Sequence, residues 1–163
     1  MACSLRRVVC RRARRLRAAV AGRDGKTTEV VTKFLLDTDT CIYALKQNRE
    51  VLEKLLSTER EAVVVSVITE GELRTGAAKS SSPAKTLHLV ENFLQPLMLI
   101  DFTSDDAIVY ANVRAKLERA GTPIGPLDTL IASQAVAHKL TLVTNNEREF
   151  RRVAGLSIEN WTR

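Results

Sequence analysis

Apolar and polar positions along the chain alternate between a strand-like and a helix-like rhythm. Val31 to Leu36 closes on the apolar run Phe34-Leu35-Leu36 and reads as a first strand, buried on both sides. An amphipathic helix follows through about Lys46, with Thr38 or Asp39 as its cap. Arg49 to Leu56 sets Val51, Leu52, Leu55 and Leu56 at helical spacing. Ala62 to Ile68 is short and β-branched, a second strand. Thr69 then caps a helix through about Ala78, and Ser80-Ser81-Ser82-Pro83 is a loop. Ala84 to Leu94 is helical, and Leu97 to Phe102 is a third strand.

Ser104 opens a long helix over Asp105 to Ala120, stopped by Gly121. The loop Thr122-Pro123-Ile124-Gly125-Pro126 leads into a helix of small and apolar residues, Leu127 to His138. Thr141 to Thr144 is a fourth strand, Asn145-Asn146 begins a short helix through Arg152, and Leu156 to Trp161 adds an edge strand. Strands alternating with helices predict an α/β fold: a central parallel sheet flanked by helices on both faces.

Charge changes this picture at one end only. Residues 1–33 hold ten of the 25 Lys and Arg residues and two of the 19 acids, a net +8, which leaves −2 for the remainder. The basicity therefore belongs to an N-terminal extension, residues 1–30, and gives little support for nucleic-acid binding by the folded body, residues 31–163. Three readings fit the extension: a disordered basic tail that touches nucleic acid, a mitochondrial-type presequence, or a gene-model artefact upstream of the true start. The last is favoured, because the first strand begins only near Val31.

No apolar run approaches the roughly 20 residues of a bilayer span, so no membrane partner is expected. Cys3, Cys10 and Cys41 lack C-x-x-C spacing and read as reduced thiols of a cytoplasmic protein. His88 and His138 stand far apart, which disfavours a zinc site. Any metal would be bound through oxygen, which favours Mg²⁺ or Mn²⁺.

Three carboxylates are the candidate chemistry. Asp37 ends the first strand where a helix begins, the place where open α/β sheets bind ligands. The bland alternative is a helix cap, although Asp39 can take that task and release Asp37. Glu72 lies on the second-strand helix, with Gly76 one turn later where another backbone or a ligand can approach. A solvated face is its alternative. Asp128 shares its helix face with Ile131, Ala132 and Ala135, where a carboxylate is costly unless paired or metal-bound. Its alternative is a first-turn Asp favoured by the helix dipole. Two carboxylates about 5 Å apart repel by roughly 3 kcal/mol at an effective dielectric near 20, and a divalent cation reverses that field.

Four segments taken together resemble the PIN-domain ribonucleases and, within them, the VapC-type toxins of toxin–antitoxin pairs. They are Phe34-Leu35-Leu36-Asp37-Thr38-Asp39, Ser66-Val67-Ile68-Thr69-Glu70-Gly71-Glu72-Leu73, Gly121-Thr122-Pro123-Ile124-Gly125-Pro126-Leu127-Asp128, and Leu142-Val143-Thr144-Asn145-Asn146-Glu147-Arg148-Glu149-Phe150 with the closing Glu159-Asn160-Trp161. The resemblance runs from about Val31 onward and implies a PIN-like domain. It implies that Asp37, Glu72 and Asp128 are catalytic ligands of Mg²⁺ or Mn²⁺, with Thr144 supporting them and Asp39 as a further candidate. Many members carry a further Asp where this chain has Asn146. That substitution lowers the charge of the site and leaves Glu149, one turn on, as a carboxylate able to help.

The resemblance also implies metal-assisted hydrolysis of structured RNA, commonly tRNA, together with a homodimer and a cognate antitoxin partner. The Gly-Thr-Pro-Ile-Gly-Pro loop is similar to that of the branch that cuts the initiator tRNA anticodon loop. Lys46, Arg74 and Lys79 read first as solvated charges, with contact to RNA backbone as the alternative for each. Two rivals remain. A receiver-like signalling domain would need a phospho-acceptor Asp after its middle strand, whereas Asp101 lies inside strand three. A catalytically silent PIN fold that only binds RNA or a partner is kept open by Asn146.

Overall fold

The structure is a computed structural model, and it describes residues 34–163. The expectations for residues 1–30, and for Val31 to Lys33 of the first strand, fall outside the described residues. In chain order the elements are β1 (Phe34–Leu36), α1 (Thr38–Leu45), α2 (Arg49–Ser57), a 3₁₀ turn (Arg60–Ala62), β2 (Val63–Ser66), α3 (Val67–Ala78), α4 (Pro83–Leu94), β3 (Met98–Ile100), α5 (Ser104–Arg119), α6 (Pro126–His138), β4 (Thr141–Val143), α7 (Glu147–Phe150) and β5 (Ser157–Glu159).

All five strands are parallel, in the order β3-β2-β1-β4-β5. The chain steps outward from β1 through β2 to β3, then returns to the other side of β1 for β4 and β5. The direction of winding thus reverses between β1 and β4, and the crevice beyond the carboxyl ends of those two strands is the expected ligand position. Receiver domains use the order 2-1-3-4-5 instead, so the signalling rival fails on topology.

Successive strand residues point to opposite faces, which creates two cores. Leu35, Val64 and Leu142 pack against Val113 and Leu117 of α5 and Ile131, Ala132 and Ala135 of α6. Leu36, Val63, Val65 and Val143 pack against Cys41 and Ala44 of α1, Leu73 and Ala77 of α3, and Trp161. Helices therefore cover both faces, as the alternating pattern predicts. Helix α6 is braced at two points. Gln134 Nε2 donates to the Asp101 carbonyl at 2.9 Å, and His138 Nε2 lies 3.0 Å from the buried Asp106 Oδ1 on α5. Gly121 does end α5: it takes φ 66°, and the N–H groups of Gly121 and Thr122 return to the carbonyls of Glu118 and Leu117.

Two expected caps are displaced. Asp37 itself caps α1, its Oδ1 accepting from Thr38 N at 2.8 Å, so neither Thr38 nor Asp39 does. Ser66 caps α3 by accepting from Ile68 N at 3.1 Å, and Thr69 is buried inside the first turn of that helix. Val67 and Ile68 have strand-forming side chains, but the Ser66 hydroxyl starts the helix before them, an example of a local side-chain bond overriding propensity. Strand β3 is shorter than expected and lies at the sheet edge, with Met98 and Leu99 exposed.

Candidate active site

The crevice at the winding reversal is built first by the turn after β1. Asp37 is only 4% exposed. Its backbone N–H donates to the Val143 carbonyl at 2.9 Å, which stitches the end of β1 to the end of β4. Both carboxylate oxygens are engaged, Oδ1 by Thr38 N and Oδ2 by the Thr144 hydroxyl at 2.8 Å. Thr144 Oγ1 in turn accepts from Asn146 N at 3.0 Å, so its single hydroxyl hydrogen is directed at Asp37. Asp39 lies in the first turn of α1, and its Oδ2 accepts from Asn145 N at 3.0 Å. Burial, then Asp39, then Asp128 push the Asp37 carboxyl up to about 7, against the opposing pull of its two hydrogen bonds.

Helices α3 and α6 bring the other two acids to the same mouth. Glu72 is half-buried, and its Oε2 accepts from the Thr38 hydroxyl at 2.5 Å, across 34 residues of sequence. Asp128 is half-buried in the first turn of α6, two residues beyond Pro126. Its carboxyl is raised by burial first, then by the charges of Glu149, Glu72 and Asp39. Glu149 on α7 therefore acts directly on Asp128. Asp37, Glu72 and Asp128 thus sense one another's neighbourhood, with Asp39 and Glu149 at the margin. Among the described residues, no Lys or Arg forms an ion pair with Asp37, Asp39, Glu72 or Asp128.

The acids do not form a ready cage. Among the described residues, no three His, Cys, Asp or Glu side chains stand close enough to chelate one ion as placed. Glu72 turns to Thr38, and Asp128 folds back over Gly125, as mutually repelling anions do when protein donors or open space are at hand. The donor set is nonetheless entirely oxygen, and a carboxyl pushed up first by burial and then by neighbouring anions is relieved by a hard cation. These residues fit a divalent ion such as Mg²⁺ or Mn²⁺.

The remaining candidates separate. Asn146 is the cap residue of α7 and makes no side-chain capping bond there, its contribution to the turn being the backbone N–H given to Thr144. Arg74 is occupied by Glu70 at 2.8 Å and Glu91 at 3.3 Å. Lys79 lines an open groove of about 540 Å³ together with Glu72, Gly71, Thr75 and Leu127. Lys46 is exposed at the end of α1. Gly76 faces open space, so among the described residues no other backbone approaches it. The glycine that matters sterically is Gly125, where an added Cβ would stand 2.8 Å from Asp128 Oδ2. Thr38 and Asn145 escaped the sequence reading; only their adjacency to Asp37 and Thr144 marked them.

Comparison with known proteins agrees with this geometry. Residues 34–156 match the PIN domain family. The tRNA(fMet)-specific endonuclease VapC of Salmonella typhimurium is 42% identical over 129 residues, spanning 79% of this chain and 98% of that protein. Ribonuclease VapC2 of Rickettsia felis is 36% identical, over 78% of this chain and 97% of that protein. Among solved structures, the DNA-bound VapBC of Salmonella typhimurium superposes with a TM-score of 0.77 at 41% identity, covering 80% of this chain and 99% of that one. The order of the strands, the acids at the winding reversal and these likenesses converge: the chain belongs to the PIN-domain family, among its VapC relatives.

Proposed function

We propose that this chain is a divalent-metal-dependent ribonuclease toxin that hydrolyses phosphodiester bonds in tRNA and is neutralised by a cognate antitoxin. The observation that carries the reading is the buried, hydrogen-bonded Asp37 at the reversal between β1 and β4, with Asp39, Glu72 and Asp128 around it and no compensating Lys or Arg pair among the described residues. The ribonuclease names of the VapC relatives support the reaction, and the name of the Salmonella protein supports tRNA as the substrate class. The VapBC assemblies among the structural relatives support an antitoxin partner.

Asp37, Glu72 and Asp128 would hold Mg²⁺ or Mn²⁺. When bound, such an ion lowers the pKa of a water and neutralises charge on the phosphate. The protein's own part is positional. The Thr144 hydroxyl and Thr38 N–H fix the plane of the Asp37 carboxylate. Thr38 Oγ1 also holds Glu72 and so links α1 to α3 across the mouth. Glu149 supplies the charge that Asn146 lacks, because among the neighbouring acids it raises the Asp128 carboxyl most. Lys79, on the groove beside Glu72, is placed to meet an RNA phosphate. Among the described residues no helix is long and apolar enough to cross a membrane, and Cys41 is a buried free thiol; we assign the cytoplasm and a homodimer to the working protein on the family's pattern.

The test is cleavage of purified tRNA by the full chain in Mg²⁺ or Mn²⁺, with and without EDTA, and with Asp128→Asn. Cleavage should stop in EDTA and fall by about 1,000-fold in the variant, the scale of losing a preorganised electrostatic partner, while circular dichroism stays that of the parent. Undiminished cleavage in EDTA overturns the metal assignment. Uncut tRNA that is still bound by the parent favours the silent PIN reading.

A further inference from the structure

Residues Asn160 to Thr162 lie against the turn between β4 and α7, and their polar groups do not serve the sheet. Trp161 anchors the segment: it is 1% exposed and meets the Phe34 ring edge-on, with centroids 5.3 Å apart. Either side of that anchor, Asn160 and Thr162 reach the same atom. Asn160 Nδ2 donates to Asn145 Oδ1 at 3.2 Å and to Glu147 Oε1 at 2.9 Å, and Thr162 Oγ1 stands 3.0 Å from Asn145 Oδ1. Asn160 Oδ1 accepts from Thr162 N at 2.9 Å and lies 2.8 Å from Thr162 Oγ1, so the segment folds on itself and the Thr162 hydroxyl bridges the two asparagine carbonyls. With its carbonyl turned to this segment, the Asn145 amide directs its Nδ2 to Tyr43 OH on α1 at 3.4 Å. Its backbone N–H is the donor to Asp39.

We propose that Asn160 and Thr162 form a positioning strap that sets the Asn145 turn, and through that turn the placement of Asp39 and Asp37 at the acidic mouth. The proposal rests on the metal-dependent reading of that mouth. Thr144 to Asn146 is a three-residue connection without regular structure, and Asn145 is exposed. Such a turn left to itself samples several backbone states, at roughly 1–2 kcal/mol of entropy per residue fixed. Two of the donors to the site's fixed acids, the Thr144 hydroxyl to Asp37 and the Asn145 N–H to Asp39, come from this turn. Thr144 N is tied to the Glu159 carbonyl at 2.9 Å, at the head of the strap. The strap also divides the two acids of α7. Glu147 is held by Asn160, Arg151 and Arg163 and kept below the usual carboxylate range, first by the Asn160 bond. Glu149 is left for Asp128.

Two variants test the strap without replacing an acid: Thr162→Val, which exchanges the hydroxyl for a methyl in a similar volume and leaves Glu147 its Asn160 bond, and Asn160→Ala. Mn²⁺ titration followed by electron paramagnetic resonance should show about tenfold weaker binding in each, the scale expected for a group that orients a ligand from behind. tRNA cleavage should lose kcat with KM little changed, and Thr162→Ser should restore both measurements. Amide hydrogen exchange at Asn145 in metal-free protein gives the second arm and should quicken by about tenfold in both variants. Parent-like Mn²⁺ affinity with parent-like exchange overturns the strap. A parent that binds no Mn²⁺ defeats the metal reading instead; the strap is then decided by exchange alone, and unchanged Asn145 protection rejects it.

Discussion

The two sides of the acidic mouth are built differently. On the sheet side, Asp37 is buried, its carboxylate oxygens are hydrogen-bonded, and its own backbone is stitched to β4. On the helix side, Glu72 and Asp128 are half-buried, one leaning on a threonine hydroxyl and the other on a glycine and a second acid. The sheet therefore provides a fixed reference, and the helices provide side chains held by fewer bonds and less burial. A mouth with one rigid and one adjustable wall suits the ion proposed above, because one of its three carboxylates is already fixed and only Glu72 and Asp128 have to be drawn in against their mutual repulsion.

The largest expected effect breaks the rigid wall by removing its charge. Asp37 carries a folded-state pKa of about 7, above its ordinary value of 3.8. Between about pH 4 and 7 the folded, metal-free protein therefore holds a proton that the unfolded chain has lost. Stability should fall as pH rises through that window and level off above it, by on the order of a few kcal/mol in total. Asp37→Asn should remove the slope and be more stable than the parent at pH 8 in urea titrations. A flat parent profile, or a variant weaker at pH 8, would reject the electrostatic account of this wall.

Thr144→Val keeps the charge and removes the group that aims it. Mn²⁺ affinity should fall by about 10- to 100-fold, as for the loss of other groups that orient a ligand, and calorimetry would measure it. Unchanged affinity would mean that the rigid wall does not depend on its threonine. The smallest effect probes the adjustable wall. Gly125 has φ −53°, so alanine is allowed there, but its Cβ would press on the Asp128 carboxylate. Gly125→Ala should leave thermal stability equal or slightly higher and reduce tRNA cleavage by roughly tenfold. If cleavage is untouched, Asp128 moves aside freely and the wall is looser still.

Much of this was legible in the chain. Leu35-Leu36 before Asp37 marks a buried strand, and Ile131, Ala132 and Ala135 mark the face that burdens Asp128; both outcomes follow from local periodicity. The caps were less readable. Asp37 was weighed as either a cap or a site residue, whereas it caps α1 and lines the mouth at once, since one oxygen serves each side. Gly76 and Gly125 look alike in sequence, and only the path of the neighbouring side chain separates them. The Thr38–Glu72 bond spans 34 residues and Asn145–Asn160 spans 15, and neither distance leaves a trace in periodicity.

Trp161 is the chain's single tryptophan, and it is sealed against Phe34. Indole emission from this protein thus comes from one spot, between the two residues that grip Asn145. The molecule carries its own optical gauge: a red shift at constant far-ultraviolet dichroism would mark that grip letting go while the rest of the fold persists, with no label added.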